Sequence, residues 1–171
     1  MDRAAAKAHL RTGLPIFTHT PHEGCAKCAL DQLEIHTSLG VKPEKLCIGH
    51  LGGLVEDPIA ATHKLIAKQG AFVGIDAVGH FIPSAQPAGD YLKVRMVLAL
   101  LDAGYEDRIL FSSDFAHQDC LQRYWGAGYS TVARVFAPKL RHAGVKEMAI
   151  HKILVENPRR FLAYVPHAAA S

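Results

Sequence analysis

Short apolar runs recur four times along the chain, and each run ends at a polar residue. They cover residues 15–18, 46–49, 71–75 and 108–113 and contain β-branched and other large apolar side chains. Continuous apolar runs of this length are typical of strands that are buried on both faces of a sheet. The pattern therefore predicts four strands of a parallel sheet.

The stretches between these runs carry apolar residues three and four positions apart, which is the spacing of one helix face. Helices are predicted at about 25–39, 58–69, 91–103 and 130–143, with one before them at 2–12, a short one at 146–155 and a last one after Asn157-Pro158. In the 58–69 helix, Ile59, Leu65 and Ile66 are expected to form the buried face.

Strands that alternate with helices along a chain indicate an α/β fold built on a parallel sheet. A closed (β/α)₈ barrel usually needs about 250 residues, whereas this chain has 171. We therefore predict a partial barrel of four βα units. Residues 1–171 are treated as one domain, because no linker or low-complexity segment interrupts them.

Charge and hydropathy argue against two classes of partner. The net charge is only +3, and the longest basic cluster is Arg159-Arg160, which does not favour nucleic-acid binding. No apolar stretch approaches the roughly 20 residues of a membrane helix, and the N-terminus lacks the apolar segment of a signal peptide. A cytoplasmic protein without a membrane partner is the expectation.

Four cysteines are present, at Cys25, Cys28, Cys47 and Cys120. Because disulfides are rare in the cytoplasm, free thiols are expected. Cys25 and Cys28 form a CxxC motif, but a structural zinc site would need a second such pair. Redox chemistry fits a CxxC at a helix start, although the rest of the chain is not thioredoxin-like.

The predicted strands end at His19, His50, Asp76 and Asp114. Catalytic groups of parallel α/β folds lie at the carboxyl ends of the strands, where these side chains meet at one rim. Imidazoles and a carboxylate at one rim suit a divalent ion such as Zn²⁺. The pattern therefore predicts a metal site.

A structural role is the alternative for each of these residues. A histidine at a strand end is often only a hydrogen-bonded structural residue, and Asp76 suits the cap of a loop or helix equally well. The other histidines without a partner pattern are expected at the surface; they are His22, His36, His63, His142, His151 and His167.

Five segments resemble the phosphotriesterase family of the amidohydrolase superfamily, which includes lactonases. They are GLPIFTHT at 13–20, CIGHL at 47–51, GID at 74–76, ILFSSD at 109–114 and ENPRRFL at 156–162. In order, the first four resemble the family's strands five to eight, and the last resembles its closing segment. The resemblance covers nearly the whole chain and implies the C-terminal half of a (β/α)₈ barrel.

The resemblance also implies a reaction. His19 and His50 would bind the more exposed of two divalent ions, zinc being the first choice, and Asp114 would bind the buried ion and accept a proton from the bridging hydroxide. The reaction would be hydrolysis of a phosphotriester, lactone or carboxylic ester by a metal-activated hydroxide. A small ester or lactone would then be the substrate.

The sequence departs from the family pattern in its ligand set. The family's first strand carries a His-x-His pair and its fourth a bridging carboxylated lysine or glutamate, and neither strand is present in these residues. Two alternatives to an active hydrolase follow. The chain is an inactive fragment with a vestigial site, or a half-barrel that assembles with a second chain.

Two further residues are candidates for substrate binding. His80 follows the third strand, in a position where it faces the pocket or simply points to solvent. Trp125 lies in the long segment 115–128 after the fourth strand, which is placed like a substrate-covering loop. Packing of that loop against the protein is the alternative role for Trp125.

Overall fold

The structure is a computed structural model that describes residues 1–21, 24–57, 59–79 and 89–164. Its strands are β1 (Ile16–Phe17), β2 (Leu46–Ile48), β3 (Phe72–Ile75) and β4 (Ile109–Phe111). Its α-helices are α1 (Asp2–Thr12), α2 (Ala26–Ser38), α3 (Ala61–Lys68), α4 (Asp90–Asp102), α5 (Ala137–His142), α6 (Glu147–His151) and α7 (Asn157–Leu162). Two π-helical segments, Val132–Phe136 and Lys152–Glu156, precede α5 and α7.

The four strands form one parallel sheet in the order β1-β2-β3-β4. Ile16 pairs with Leu46, Cys47 with Phe72, and Val73 with Ile109. Helices connect successive parallel strands, as in a (β/α)₈ barrel. The prediction of half of such a barrel is confirmed. Each strand ends before the polar residue that closes the corresponding apolar run.

The two faces of the sheet carry different side chains. On one face, Ile48, Val73 and Ile109 belong to the main core, together with residues of the surrounding helices. On the other face, Cys47, Phe72 and Leu110 form a second buried cluster with Phe161 of α7. Successive side chains of a strand alternate between faces, so the second cluster belongs to the concave, barrel-interior side.

Phe17 fills part of the same interior face. A Cβ atom built on Gly74 would lie 2.9 Å from the Cζ atom of Phe17, and one built on Gly49 would collide with the same ring. Glycine at 49 and 74 therefore makes room for the aromatic ring. This close packing explains why two interior positions of the sheet lack side chains.

Helix α3 departs from the sequence prediction. It begins at Ala61, because the Asp57 carboxylate accepts the backbone N–H groups of Ala61 and Thr62 at 2.8 and 2.7 Å. Its buried residues are Thr62, His63, Ile66 and Ala67. Of the three predicted core residues only Ile66 is buried, whereas Ile59 and Leu65 are exposed. Pro58 lies outside the described residues.

The C-terminal helices also differ from the prediction. The chain is continuously helical from Glu147 to Leu162, since Lys152 and Asn157 at the junctions have right-handed helical backbone angles. Pro138 and Pro158 each follow a π-helical segment closely. The wider turn relieves the clash of the proline ring with the preceding turn. None of the helices in the described ranges is long and apolar enough to cross a membrane.

Two histidines expected at the surface are fully buried. His63 contacts the Leu51 carbonyl oxygen through Nε2 at 2.8 Å. His36 lies with Nε2 3.6 Å from Asp2; burial lowers its pKa, against the opposing effect of Asp2. His142 and His151 are exposed as expected. His22 and His167 lie outside the described residues.

The cysteine prediction is half wrong. Cys25 and Cys28 form a disulfide, whereas Cys47 and Cys120 are free and buried. The start of α2 brings the two Cα atoms of the CxxC to 5.1 Å, a separation that a disulfide spans. This local geometry allows a disulfide whatever compartment the protein occupies.

We expect the chain to self-associate in solution through the edges of its sheet. In the described part of the chain, no strand pairs with the outer edge of β1 or β4, and unpaired strand edges promote association. Light scattering after size-exclusion chromatography should give a mass above the 18.6 kDa of one chain.

A charge on the β1 edge should reduce this association. Phe17→Lys puts an inward-pointing charge on this edge strand, on the interior face that Phe17 occupies, whereas Leu10→Lys alters a residue of α1 that is equally exposed, at 48%. We expect only the first to lower the mass. A monomer at every concentration would contradict the prediction.

Candidate functional site

His19 and His50 follow two neighbouring strands and meet at the carboxyl end of the sheet. The Nδ1 atom of His19 lies 2.9 Å from the Nε2 atom of His50. Their ring centroids are 4.4 Å apart in an edge-to-face arrangement. His50 is buried. Two imidazole nitrogens therefore face each other at the rim, at hydrogen-bond distance.

Two carboxylates lie on the opposite side of the His50 ring. An oxygen of Asp76 is 3.2 Å from His50 Nδ1, and its other oxygen accepts the backbone N–H of His50 at 2.7 Å. Asp114 is 3.8 Å from the same nitrogen. Burial lowers the pKa of His50, but contact with Asp76 and the charges of Asp76 and Asp114 outweigh it, so the pKa is raised.

Backbone angles at the strand ends are unusual. His50, Ala77 and Asp114 have φ values of 59°, 50° and 50°. L-residues rarely adopt this left-handed region, and such residues cluster at functional sites. All three lie just after β2, β3 and β4, where the chain turns out of the sheet.

Gln32 of α2 holds the segment around His19. Its Oε1 atom accepts the hydroxyl groups of Thr18 and Thr20 at 2.8 and 3.1 Å, and its Nε2 atom donates to the His19 carbonyl at 2.8 Å. Thr18 also accepts the N–H of Gly49, the residue before His50, at 3.4 Å. The network connects both histidines to one helix. Sequence reasoning missed Gln32, although threonines on both sides of His19 were a signal.

A buried lysine supports the loop after β3. Lys93 of α4 is 1% exposed and donates to the carbonyl of Ala77 at 2.5 Å. Burial lowers its pKa, and the nearby negative charges of Asp90, Asp76 and Asp114 oppose that effect. Helical periodicity alone does not reveal such a residue.

His63 and Asp57 hold the loop that follows His50. His63 contacts the carbonyl of Leu51, and Asp57 lies 3.7 Å from His63 Nδ1. Contact with His63 lowers the pKa of Asp57 well below its ordinary value of 3.8; the Thr62 and Ala61 amides add to this, and burial opposes it. Asp57 therefore links the start of α3 to the residue that follows His50.

The sequence-predicted site residues have different outcomes. His19, His50 and Asp114 lie close together, and Asp76, which the sequence left undecided, contacts His50 directly. Trp125 is 98% exposed, which excludes a role in packing its loop down. His80 lies outside the described residues.

The imidazoles of His19 and His50 are close to the arrangement of two metal ligands. Nitrogens bound at 2.0–2.1 Å in a tetrahedral zinc shell are about 3.4 Å apart, so a small separation of the His19 and His50 rings is sufficient. A carboxylate on the other ring nitrogen, as Asp76 provides, is the usual support of a metal-binding histidine. Asp114 lies on the Nδ1 side of His50, and the described residues contain no group of three or more metal-ligand side chains. The site thus fits two ligands of an ion and not a complete shell.

A parallel half-barrel with histidine and aspartate at its rim is the class of structure that these observations define. The family model described as "Phosphotriesterase family" matches residues 1–162. The chain belongs to the phosphotriesterase family.

Known relatives carry different names. An aryldialkylphosphatase of Saccharolobus solfataricus is 33% identical over 94% of this chain and 51% of its own length. An N-acetyltaurine hydrolase of Bos taurus is 28% identical over 95% of this chain and 47% of its own. The structure of a lactonase from Listeria monocytogenes superimposes with a TM-score of 0.81 at 32% identity, over 96% of this chain and 49% of that one. This chain spans about half the length of the curated relatives it matches.

Gln32→Leu should lower the free energy of unfolding by about 2 kcal/mol, because the two buried threonine hydroxyls lose their acceptor and the His19 carbonyl its donor. Gln32→Glu keeps the acceptor but not the donor, and we expect a smaller loss. Urea denaturation measures both, with Gln69→Leu on an exposed glutamine as control. Equal losses of unfolding free energy in Gln32→Leu and Gln69→Leu would contradict the role of Gln32 in holding the segment around His19.

Asp57→Asn should cost about 1 kcal/mol of stability at neutral pH, because the amide lacks the negative charge and keeps only one of the two oxygens that accept the Ala61 and Thr62 N–H groups. Because folding lowers the pKa of Asp57, its carboxylate stabilises the fold above the ordinary value of 3.8. That contribution disappears as the pH falls through the lowered value. From pH 7 down to pH 2 the difference in unfolding free energy between the two proteins should therefore begin to narrow below the ordinary value of 3.8, with Glu56→Gln as control. A constant difference would contradict the assignment.

Proposed function

We propose that this chain contributes the His19–His50 part of the active site of a metal-dependent hydrolase. The observation that carries the proposal is the 2.9 Å approach of His19 Nδ1 and His50 Nε2, with Asp76 behind His50. Family membership supports it, because the phosphotriesterase family is metal-dependent. Zinc is the proposed ion, since neutral imidazole nitrogens suit it.

His19 and His50 would hold the ion through the two nitrogens that now face each other. A divalent ion bound there would supply polarisation of the substrate oxygen and a water acidic enough to react near neutral pH. Asp76 keeps the Nδ1 side of His50 occupied, so that Nε2 faces the ion. Gln32 fixes the His19 backbone from the other side.

Asp114 is the proposed proton acceptor. Its side chain is 37% exposed and therefore reachable by water at the rim. A carboxylate placed there takes up the proton that water loses on attack, which is general base catalysis. Lys93 and the Ala77 carbonyl shape the neighbouring loop without touching the reacting atoms.

The proposed substrate is a small molecule with a phosphotriester, lactone or carboxylic ester bond. Relatives named aryldialkylphosphatase and lactonase support the first two bond types, whereas the name N-acetyltaurine hydrolase adds an amide as an alternative. Trp125 presents an exposed aromatic ring on the segment after β4, and we retain it with His80 as candidate substrate-binding residues. Their side chains would contact the part of the substrate that does not react.

A half-barrel that needs a second chain is the other candidate. The two outer edges of the four-stranded sheet in the described residues favour it. In that arrangement the second chain supplies the remaining ligands. An inactive fragment is the remaining alternative, and binding and activity measurements separate these cases.

Zinc binding tests the site directly. Equilibrium dialysis of the chain should show weak binding that is lost in His19→Ala and in His50→Ala, while His142→Ala, an exposed histidine on α5, retains it. Asp76→Asn should weaken binding by about 10- to 100-fold, the usual effect of removing a ligand's support. Tight binding that survives both histidine substitutions would place the metal elsewhere.

Hydrolysis tests the role of Asp114. With zinc present, Asp114→Asn should lower the turnover of an aryl dialkyl phosphate or a lactone by about 100-fold or more, the usual contribution of a general base. Zinc binding without turnover would favour the half-barrel that needs a second chain. Absence of both would favour the inactive fragment.

A further inference from the structure

The disulfide between Cys25 and Cys28 lies at the start of α2, the helix that carries Gln32. Cys25 caps this helix: its sulfur accepts the backbone N–H of Cys28 at 3.1 Å. Only six positions separate Cys25 from His19. The bond therefore lies in the connection between a proposed metal ligand and the helix that holds it.

Exposure distinguishes this pair from the other cysteines. Cys25 and Cys28 are both half-buried, whereas Cys47 and Cys120 are at most 5% exposed. Reagents in solution therefore reach the disulfide while the free thiols are protected. Among the cysteines of the described residues, only Cys25 and Cys28 are accessible to such reagents.

Gly24, next to Cys25, packs against the loop that follows His50. A Cβ atom on Gly24 would lie 2.6 Å from the Gly53 carbonyl oxygen and 3.1 Å from the Leu54 Cα atom. The φ of Gly24 is +76°, so the tight approach and the backbone angle both require glycine. The residue next to the disulfide is therefore in direct contact with the His50 loop.

The helix start favours a cysteine thiolate as well as a disulfide. The first turn of α2 contains no acidic residue, and the N-terminal end of a helix stabilises negative charge. The Cys28 N–H already points at the Cys25 sulfur. A Cys25 thiolate keeps that hydrogen bond, which makes Cys25 the better leaving group in exchange.

We propose that Cys25 and Cys28 form a thiol–disulfide exchange site whose co-reactant is a dithiol. A thiolate of the dithiol attacks the Cys28 sulfur and forms a mixed disulfide with it, while the Cys25–Cys28 bond breaks and Cys25 leaves as a free thiolate. The second thiol of the dithiol then attacks its own sulfur in that mixed disulfide and releases Cys28. The pair gains two electrons and two protons, and the dithiol loses them as it becomes a disulfide.

Reduction loosens the rim next to His19 and His50. It removes the covalent tie between the N-cap and the first turn of α2, which frees Gly24 to move away from Gly53 and Leu54. The exchange step does not depend on the proposed hydrolysis. It is measured on the metal-free chain, so its failure and the failure of the hydrolase proposal are separate results.

Thiol labelling in the native state is the first test. The chain is equilibrated with defined ratios of reduced to oxidised dithiothreitol and, in a second arm, with a protein dithiol of the CxxC type, then alkylated and analysed by mass spectrometry. We expect Cys25 and Cys28 to be labelled together and reversibly, and Cys47 and Cys120 to be labelled only after unfolding. Exchange in either arm supports the site. Reduction only on unfolding, or a pair that does not reform, overturns it.

Amide hydrogen exchange tests the coupling to the rim. The N–H groups of Gly24, Gly53 and Leu54 are hydrogen-bonded to Pro21, His50 and Leu51. Reduction should speed their exchange by about tenfold, since loss of a cross-link releases local opening, while exchange in α4 stays unchanged.

Two variants control this measurement. The double variant Cys25→Ala/Cys28→Ala should exchange at the fast rate with or without the dithiol, and an unchanged α4 would show that it folds. Cys120→Ser should respond like the unsubstituted chain. A dithiol effect in the double variant, or none in the unsubstituted chain, overturns the coupling.

Discussion

The contact between Asp76 and His50 organises the rim of this half-barrel. Asp76 is 3% exposed, and a buried carboxylate is unfavourable unless its oxygens have partners. Both oxygens face a single residue: one accepts the His50 backbone N–H, and the other lies beside Nδ1 of the ring. Because the two residues follow neighbouring strands, the contact joins the ends of β2 and β3. It also leaves Nε2 of His50 facing His19.

Strained backbone angles surround this contact, and packing interactions hold them. Left-handed angles at non-glycine residues cost about 1–3 kcal/mol each, and they occur at His50, Ala77 and Asp114. The buried ammonium of Lys93 holds the Ala77 carbonyl. Such supports explain how the strand ends turn sharply and still present their side chains to one rim.

Helix α2 contacts the segments that carry both rim histidines. Gln32 binds the backbone and threonines around His19, while the disulfide at the start of the same helix borders the segment that packs on the His50 loop. On the interior face, Phe17 covers Gly74, and Phe161 covers the other end of the sheet. On that face Cys47, Phe72 and Leu110 are buried, whereas Phe17 is 48% exposed. In the described residues the outer strands remain edges.

Apolar runs and helical spacing sufficed to predict the parallel sheet, its four βα units and the placement of His19, His50 and Asp114 at one rim. These features depend on local periodicity and on the rule that parallel strands end on the same side. The buried states of His36 and His63, the continuous C-terminal helix, and the roles of Gln32 and Asp76 depend on contacts between residues far apart in the chain. The start of α3 and the Cys25–Cys28 bond depend on local geometry that periodicity does not encode. A polar side chain has the same sequence signature whether it is exposed or bonded in the interior, so only the tertiary structure decided which of these residues hold the site.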